Sequence, residues 1–196
     1  MSSLLGGREY ERDYEGFVEL SHAMVKGRDA RGQQLAVLSV LRSLMPEAAA
    51  ERFRKWFPLS QWSAETNALI TTFFFAWLVG PLERKPVEVQ FKGEPATWNS
   101  GVQIKKCRYL EASGCVALCV NLCKRPTEEF FAESFGLPLT MNPNFEDLSC
   151  EMIFGQAPPP VGEDAAFKQP CFAKHCSLAE RDPMPCPKLG VRVPVP

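Results

Sequence analysis

The sequence predicts an α+β fold with an N-terminal helical layer, a small antiparallel sheet and a cysteine-rich C-terminal lobe with a proline-rich tail. Three observations predict it. Apolar residues recur with a helical period before residue 80, they alternate with polar residues between 87 and 105, and all eight cysteines lie from Cys107 onward. With 196 residues, 45% of them hydrophobic, the chain is long enough to bury the core of one domain.

Helices are predicted over residues 10–25, 33–44 and 47–56. The first has apolar residues three, four and seven positions apart, and the third follows Pro46 and stops before Pro58. Residues 68–79 form a run that is apolar on every side, so we expect a buried central helix. A wall that lines a ligand or docks on a membrane is the alternative. The run has about a dozen residues, whereas a membrane span needs roughly 20.

The apolar period then changes to two, which predicts short strands over residues 87–91 and 102–105 with a turn between them. Helical spacing returns over residues 115–124 and 126–134, and the second of these helices has acidic residues in its first turn. We expect residues 140–150 to form a polar loop and residues 151–154 to form a third strand.

Proline composition marks the last part of the chain. Nine of the 17 prolines lie from Pro158 onward, so this part can form neither a long helix nor a central strand. We therefore divide the chain into a helical region (1–85), a small sheet with a cysteine-bearing helix (86–157), and a proline- and cysteine-rich tail (158–196). The tail is expected to pack on the same single domain.

Composition and motifs exclude several classes of function. Lys and Arg number 22 against 23 Asp and Glu, a net charge of −1, so no basic surface holds nucleic acid by charge. The sequence has no G-x-S-x-G, G-x-G-x-x-G or Walker A motif, which argues against a serine hydrolase and against the common nucleotide sites. The cysteines are the remaining chemical feature.

The cysteine spacing contains no C-x2-C pair, which disfavours a zinc ribbon or a thioredoxin motif. On one helix, Cys115, Cys119 and Cys123 would share a face with neighbours about 6 Å apart and the outer pair about 12 Å apart. An unbroken helix through Cys123 would therefore exclude a four-ligand site made of Cys107 and these three. Disulfides, iron or an iron–sulfur cluster, and zinc or buried free thiols all remain open from spacing alone.

Several motifs resemble a known family. They are the stretch CRYLEASGCVALCVNLCK at residues 107–124, Pro126-Thr127, residues 135–159 with the sequence FGLPLTMNPNFEDLSCEMIFGQAPP, and the closing CPKL at 186–189. Together they resemble the plant and algal beta-carotene isomerases of the DWARF twenty-seven family. The resemblance is strong from about residue 107 to 189 and looser over residues 33–82.

The resemblance implies an iron-dependent carotenoid cis–trans isomerase that interconverts all-trans- and 9-cis-beta-carotene and feeds strigolactone biosynthesis. It implies an iron cofactor, for which a 4Fe–4S cluster is one of the forms considered. It also implies a location in the chloroplast, although no transit peptide is visible in this chain. It assigns no catalytic residue, and it leaves the electron donor unknown. The metal ligands would be a subset, four in number, of Cys107, Cys115, Cys119, Cys123, Cys150, Cys171, Cys176 and Cys186.

A carotenoid is a long hydrocarbon, so it needs an apolar site and, as a further expectation, peripheral contact with the plastid membrane that stores it. The large apolar residues near the cysteines are the candidate walls of that site: Phe73, Phe74, Trp77, Phe91, Met152 and Phe154. The alternative function is an iron–sulfur electron-transfer protein or a non-catalytic cysteine-rich binding module. An apolar tunnel beside the thiols would favour the isomerase.

Overall fold

The computed structural model describes residues 11–172. Eight α-helices lie in this part of the chain: α1 Tyr14–Val25, α2 Ala30–Leu44, α3 Glu47–Trp56, α4 Gln61–Phe74, α5 Ala76–Val79, α6 Arg108–Ser113, α7 Val116–Leu118 and α8 Arg125–Phe130. Four strands accompany them: β1 Leu82–Phe91, β2 Glu94–Ile104, β3 Leu139–Pro143 and β4 Cys150–Phe154. The predicted α+β class is confirmed. Most of the tail, with Cys176 and Cys186, lies outside the described residues.

The sheet is fully antiparallel, with the strand order β1-β2-β4-β3. The hairpin between β1 and β2 turns at Lys92 and Gly93, both with positive φ, as a two-residue hairpin turn requires. Strand β3 was expected to be loop, and it forms because β4 pairs with it from Leu139 to Pro143. The predicted strands over 87–91 and 151–154 lie within β1 and β4, and the one over 102–105 overlaps the last three residues of β2.

The predicted buried central helix over residues 68–79 is wrong. The chain forms α4 and the short α5 instead, with a break at Phe75, and the large residues on them are exposed. Helix α4 buries its small face, Ala64 and Ala68, against the sheet. The packing there is close: Gly155, which directly follows β4, would place a Cβ 2.7 Å from Trp98, and that Cβ would be in contact with Ala64 at 3.7 Å. Between residues 11 and 172, no helix is long and apolar enough to cross a bilayer.

The helix that carries Cys119 and Cys123 is continuous. Helix α7 passes into a π-helical turn at Cys119–Lys124, then into α8, and then into a second π-helical turn at Phe131–Phe135. The residues at each junction keep right-handed helical φ and ψ angles. π-helical turns are rare and frequently occur at functional sites. The first of these two turns contains Cys119 and Cys123.

A buried ion cluster fixes this helix to the rest of the molecule. The ammonium of Lys124, which is 1% exposed, lies 2.8 Å from a carboxylate oxygen of Glu128 and 2.8 Å from one of Asp164. It also donates to the carbonyl oxygen of Met141 on β3, whose N–H donates to Glu128. One side chain therefore joins the helix to the sheet and to the segment that precedes the 3-10 turn Ala165–Lys168.

Amide side chains fix the opposite side of the same helix. Asn121 donates to Gln33 of α2 over 2.9 Å and accepts from Gln34 over 3.1 Å, and all three residues are buried. Gln33 continues the network by donating to the carbonyl oxygen of Arg28. Buried amides that satisfy one another in this way specify one register between two helices.

We predict that Lys124→Met destabilises the protein by about 3–5 kcal/mol, because it leaves the buried Asp164 without its cation and the buried Glu128 with only the more distant Arg125. Urea unfolding monitored by circular dichroism measures the change. The matched control is Lys106→Met, which removes an ion pair to Glu111 whose side chains are both more than half exposed and which should change stability by less than about 1 kcal/mol. Equal effects of the two variants would contradict a structural role for the buried cluster.

Candidate functional site at the end of an apolar channel

Four cysteines line one small cavity of about 20 Å³, which we call the thiol cavity. Cys119 and Cys123 come from the first π-helical turn, Cys107 caps the N-terminus of α6, and Cys150 begins β4 opposite Ile104 of β2. Helix, cap and sheet each contribute, so the cavity forms only in the folded chain. Cys107 is held in addition by the N–H of Leu110, which donates to its sulfur over 3.5 Å.

The structure distinguishes the cysteines by their position. The helix runs unbroken from Val116 through Cys123, and Cys115 precedes it with extended backbone angles, so the three cysteines of the helical series do not all lie on one helix. Cys115 precedes α7 and does not line the thiol cavity, and Cys150 takes that place. Cys171 also lies outside the cavity walls.

Burial makes the four thiols weaker acids than exposed thiols. It raises the pKa of Cys107, raises the pKa of Cys123 to about 12, and raises the pKa of Cys119 and Cys150 well above the ordinary value. The proximity of the other sulfurs raises the last three further, because one thiolate disfavours the next. The nearby ammonium of Lys124 acts in the opposite direction on Cys119 and Cys150.

These donors fit iron by their chemistry. Thiolates are the ligands that iron–sulfur clusters use, and a metal deprotonates coordinating thiols even where their pKa is high. Four such groups, shielded from water and beside a buried ammonium that offsets negative charge, are a suitable donor set. In residues 11–172, no three His, Cys, Asp or Glu side chains already stand close enough together to hold a metal ion. Binding would therefore require the sulfurs to draw together.

The disulfide alternative does not fit. Cys107, Cys119, Cys123 and Cys150 all carry free thiols. A domain stabilised by four bridges would need all eight cysteines to be paired. The sulfur chemistry of this lobe therefore depends on thiols in its interior.

Two apolar cavities lead toward the thiols from the helical layer. The outer cavity, about 410 Å³, lies among α2, α3, α4 and the helix at 116–135, and aromatic side chains dominate its walls. The inner cavity, about 240 Å³, lies among α1, α2, α5 and the same helix. Their volumes lie within or just below the usual range for small-molecule sites. The aromatic residues of the outer cavity are Phe53, Phe57, Trp62, Phe75, Phe130, Phe131 and Phe135.

The three cavities adjoin one another through shared wall residues, and we call the outer and inner cavities together the channel. Leu41, Phe75 and Thr127 line both the outer and the inner cavity. Tyr109 and Cys123 line both the inner cavity and the thiol cavity. A molecule in the inner cavity therefore contacts the Cys123 side chain, which separates it from the other three sulfurs.

Tyr109 is the polar group at the junction with the thiols. Burial raises its pKa well above the usual value, so its phenol stays neutral, and its hydroxyl is hydrogen-bonded to Ser21. Around it the channel is almost entirely hydrocarbon. An apolar ligand fits such walls, and an ion or a sugar would leave its polar groups unsatisfied.

None of the six sequence-predicted wall residues lines the channel. Phe73, Phe74 and Trp77 lie on the surface, where they are 74%, 68% and 59% exposed. The three candidates on the sheet are packed into the protein: Phe91 against Trp98, Phe154 against Phe131, and Met152 in the main core.

The actual walls come from helices that the sequence indicated only as amphipathic. Leu41 and Thr127 lie on α2 and α8, where neighbouring apolar residues are core, so nothing in their local pattern distinguishes channel from core. Phe75 lines both cavities because the chain breaks at that position. The sequence has no proline or glycine at this position that would predict a break.

Comparisons with known proteins agree with this geometry. Residues 77–163 match the family model described as "Beta-carotene isomerase D27-like, C-terminal". The chain is 40% identical over 173 residues to "Beta-carotene isomerase D27, chloroplastic" of Medicago truncatula, a match that covers 88% of this chain and 67% of the relative. It is 42% identical over 160 residues to the protein of the same name from Arabidopsis thaliana, covering 82% and 59%. No solved structure matches significantly.

We predict that the metal-free protein loses stability as the pH rises above about 9. The folded-state pKa of the four thiols is raised, so the folded state holds protons that the unfolded state releases, and each thiol costs up to about 1.4 kcal/mol per pH unit in that range. Urea unfolding between about pH 8 and about pH 10.5 measures this slope. Cys119→Ala should reduce it, and an equal slope in that variant would contradict the assignment.

Proposed function

Because this chain belongs to the D27-like family of beta-carotene isomerases, we propose that it isomerises a carotenoid inside the apolar channel, next to the thiol cavity. The single observation that carries the proposal is the position of Cys123, which lines both the inner cavity and the thiol cavity. An electron-transfer protein or a binding module needs thiols but needs no hydrocarbon-lined channel that reaches them.

The finer features of the proposal come from the resemblance together with the donor set. We take the reaction to be the interconversion of all-trans- and 9-cis-beta-carotene, a step that feeds strigolactone biosynthesis. We take the location to be the chloroplast, as the names of both relatives state for those proteins. The chain spans about two thirds of one relative and less of the other, so the activity of the whole relatives enters here only as a proposal.

Iron is the proposed cofactor, held by Cys107, Cys119, Cys123 and Cys150. Four thiols also make up the complete ligand set of a 4Fe–4S cluster, so iron and acid-labile sulfide measured per chain distinguish a single ion from a cluster. Iron held by these residues would supply one-electron chemistry, and a transient one-electron change in a polyene lowers the bond order of its double bonds. The overall reaction is then redox-neutral.

The protein's own residues bind and orient the hydrocarbon. Burial of apolar surface is favourable by about 25 cal/mol per Å², so a polyene that leaves water for these walls is bound without any polar contact. We propose that Leu41, Phe75 and Thr127, which line both cavities, form a narrow place between them through which an elongated molecule would thread. Specificity for a long, thin hydrocarbon follows from that shape.

The second task of the chain is to exclude water and protons from the reacting polyene. The phenol of Tyr109 stays protonated and hydrogen-bonded to Ser21, and three of the four thiols, those of Cys107, Cys119 and Cys150, are buried. A short-lived electron-poor or electron-rich polyene would react with water if water reached it. The apolar channel therefore protects the reaction as well as binding the substrate.

We predict that Leu41→Trp lowers kcat/KM for carotene by about tenfold or more and leaves the iron content unchanged, because the indole fills the narrow place between the two cavities. Leu44→Trp is the matched control on the same helix, since Leu44 is 76% exposed. Chromatography of the carotene isomers measures the rates. Undiminished activity in a folded Leu41→Trp protein would contradict the channel.

We predict that Cys150→Ser loses most of the bound iron and the isomerase activity, and that Cys115→Ser retains both. The reason is that Cys150 lines the thiol cavity, whereas Cys115 does not, although it lies within the helical cysteine series. Iron per chain after anaerobic purification measures the difference. If Cys115→Ser loses iron while Cys150→Ser keeps it, the ligand set is wrong.

A further inference from the structure

We propose that one face of α4, continuous with the mouth of the outer cavity, docks on a lipid bilayer and receives the substrate from it. The identity of the substrate rests on the proposed function, whereas docking itself rests on the surface. The face consists of Trp62, Leu69, Ile70 and Phe73, which are 60%, 41%, 46% and 74% exposed, and we call it the apolar stripe.

Helix α4 exposes its large apolar residues and buries its small ones, the reverse of an ordinary amphipathic helix. The stripe residues recur at intervals of seven, eight and eleven from Trp62, which places them on one side of the helix over about 16 Å. The opposite side carries Ala64, Ala68 and Thr71, all buried. A helix in water buries its large apolar residues, so the exposure of the large ones here indicates a surface that meets an apolar phase.

The stripe is continuous with the channel. Trp62 and Ile70 belong to the stripe and also line the outer cavity, and the exposed Phe75 lines the outer and inner cavities. The mouth of the channel is therefore bordered by the stripe itself. A hydrocarbon that moves from the bilayer into the cavity along these side chains never crosses water.

The residues beside the stripe include aromatic rings, two cations and one carboxylate, Glu65 of α4, which accepts hydrogen bonds from Gln61 and from the backbone N–H of Asn99. Trp62 stacks on Phe57 at 5.4 Å, which places the end of α3 next to the start of α4. That end of α3 presents an exposed Trp56, and Arg52 and Lys55 lie on the same side of the helix. Neither cation forms an ion pair within residues 11–172.

This pattern favours lipid over a protein partner. Tryptophan beside arginine and lysine is the arrangement of interfacial helices, in which the rings lie at headgroup level and the cations meet anionic lipid. The net charge of the chain is −1, so long-range attraction contributes little. Docking should therefore occur on neutral vesicles through the stripe and become stronger on anionic ones through Arg52 and Lys55.

The test is co-sedimentation of the full chain with vesicles of phosphatidylcholine, with and without phosphatidylglycerol. Tryptophan emission is a second readout, because Trp56, Trp62 and Trp77 are exposed while Trp98 is 4% exposed. We expect binding with a blue shift, and Leu69→Glu should weaken vesicle partitioning by about tenfold or more. The matched control, Val161→Glu, adds the same charge at an exposed apolar position outside the stripe and should bind normally.

Three outcomes would overturn the docking proposal. The first is no vesicle binding by the wild-type chain, and the second is equal binding by the Leu69→Glu and Val161→Glu variants. The third is a dimer in analytical ultracentrifugation that Leu69→Glu dissociates, without vesicle binding, since the stripe would then join two copies of this chain.

Carotene presented in two ways separates this proposal from the proposed function. Leu69 does not line the channel, so Leu69→Glu should convert detergent-dispersed carotene at the wild-type rate and convert vesicle-borne carotene more slowly. Conversion in detergent without any vesicle binding would refute docking and leave the isomerase standing. Vesicle binding without conversion in either medium would refute the isomerase and leave docking standing.

Discussion

The buried ammonium of Lys124 is the constraint on which the site depends. It directly follows Cys123 in sequence, and it is held by Glu128, Asp164 and the carbonyl oxygen of Met141. A buried charge must keep its partners, because an uncompensated one costs several kcal/mol. The helix therefore cannot rotate or slide against the sheet without separating them, and the sulfurs of the helix remain opposite the sulfur of β4.

From this constraint follow both the chemistry and its isolation. The thiols gather in an interior where burial keeps them protonated, the proposed metal would displace those protons, and a nearby compensating charge is the same ammonium. On the other side of the helix, Cys123 and Tyr109 face a channel with hydrocarbon walls. The helix at 116–135 thus lies between the thiol cavity with its ion cluster and the apolar channel. Its Cys123 side chain lines both the thiol cavity and the inner cavity of the channel. The exposed stripe on α4 extends the apolar side to the surface of the molecule.

Much of the fold could be predicted from local pattern. The helix over residues 47–56 agrees with α3 at both ends, and the alternation at 87–91 and 102–105 identified the hairpin. The prediction of a buried helix over the apolar run at 68–79 was wrong because hydrophobicity alone does not determine which face of a helix is buried. Helix α4 packs its small residues Ala64 and Ala68 against the sheet, and only the tertiary structure shows that this is the buried face.

The candidate site was predictable only in its residue type. Helical spacing grouped Cys115 with its neighbours, whereas Cys150 reaches the cavity by strand pairing from a distant part of the chain. Lys124 and Glu128 are one helical turn apart, a spacing that usually means an exposed pair, and nothing local indicates that they are buried. Channel walls built from ordinary helical residues give no signal of their own.

The central claim is that a thiol-bound iron acts on a hydrocarbon held in the adjoining channel. Its most direct test compares iron-loaded protein with the same preparation after anaerobic removal of iron and confirmation of native circular dichroism. Both are incubated with all-trans-beta-carotene, and the 9-cis isomer is measured over time. We expect the iron-loaded protein to form the 9-cis isomer and the iron-free protein to form none. Equal rates in the two preparations would contradict it.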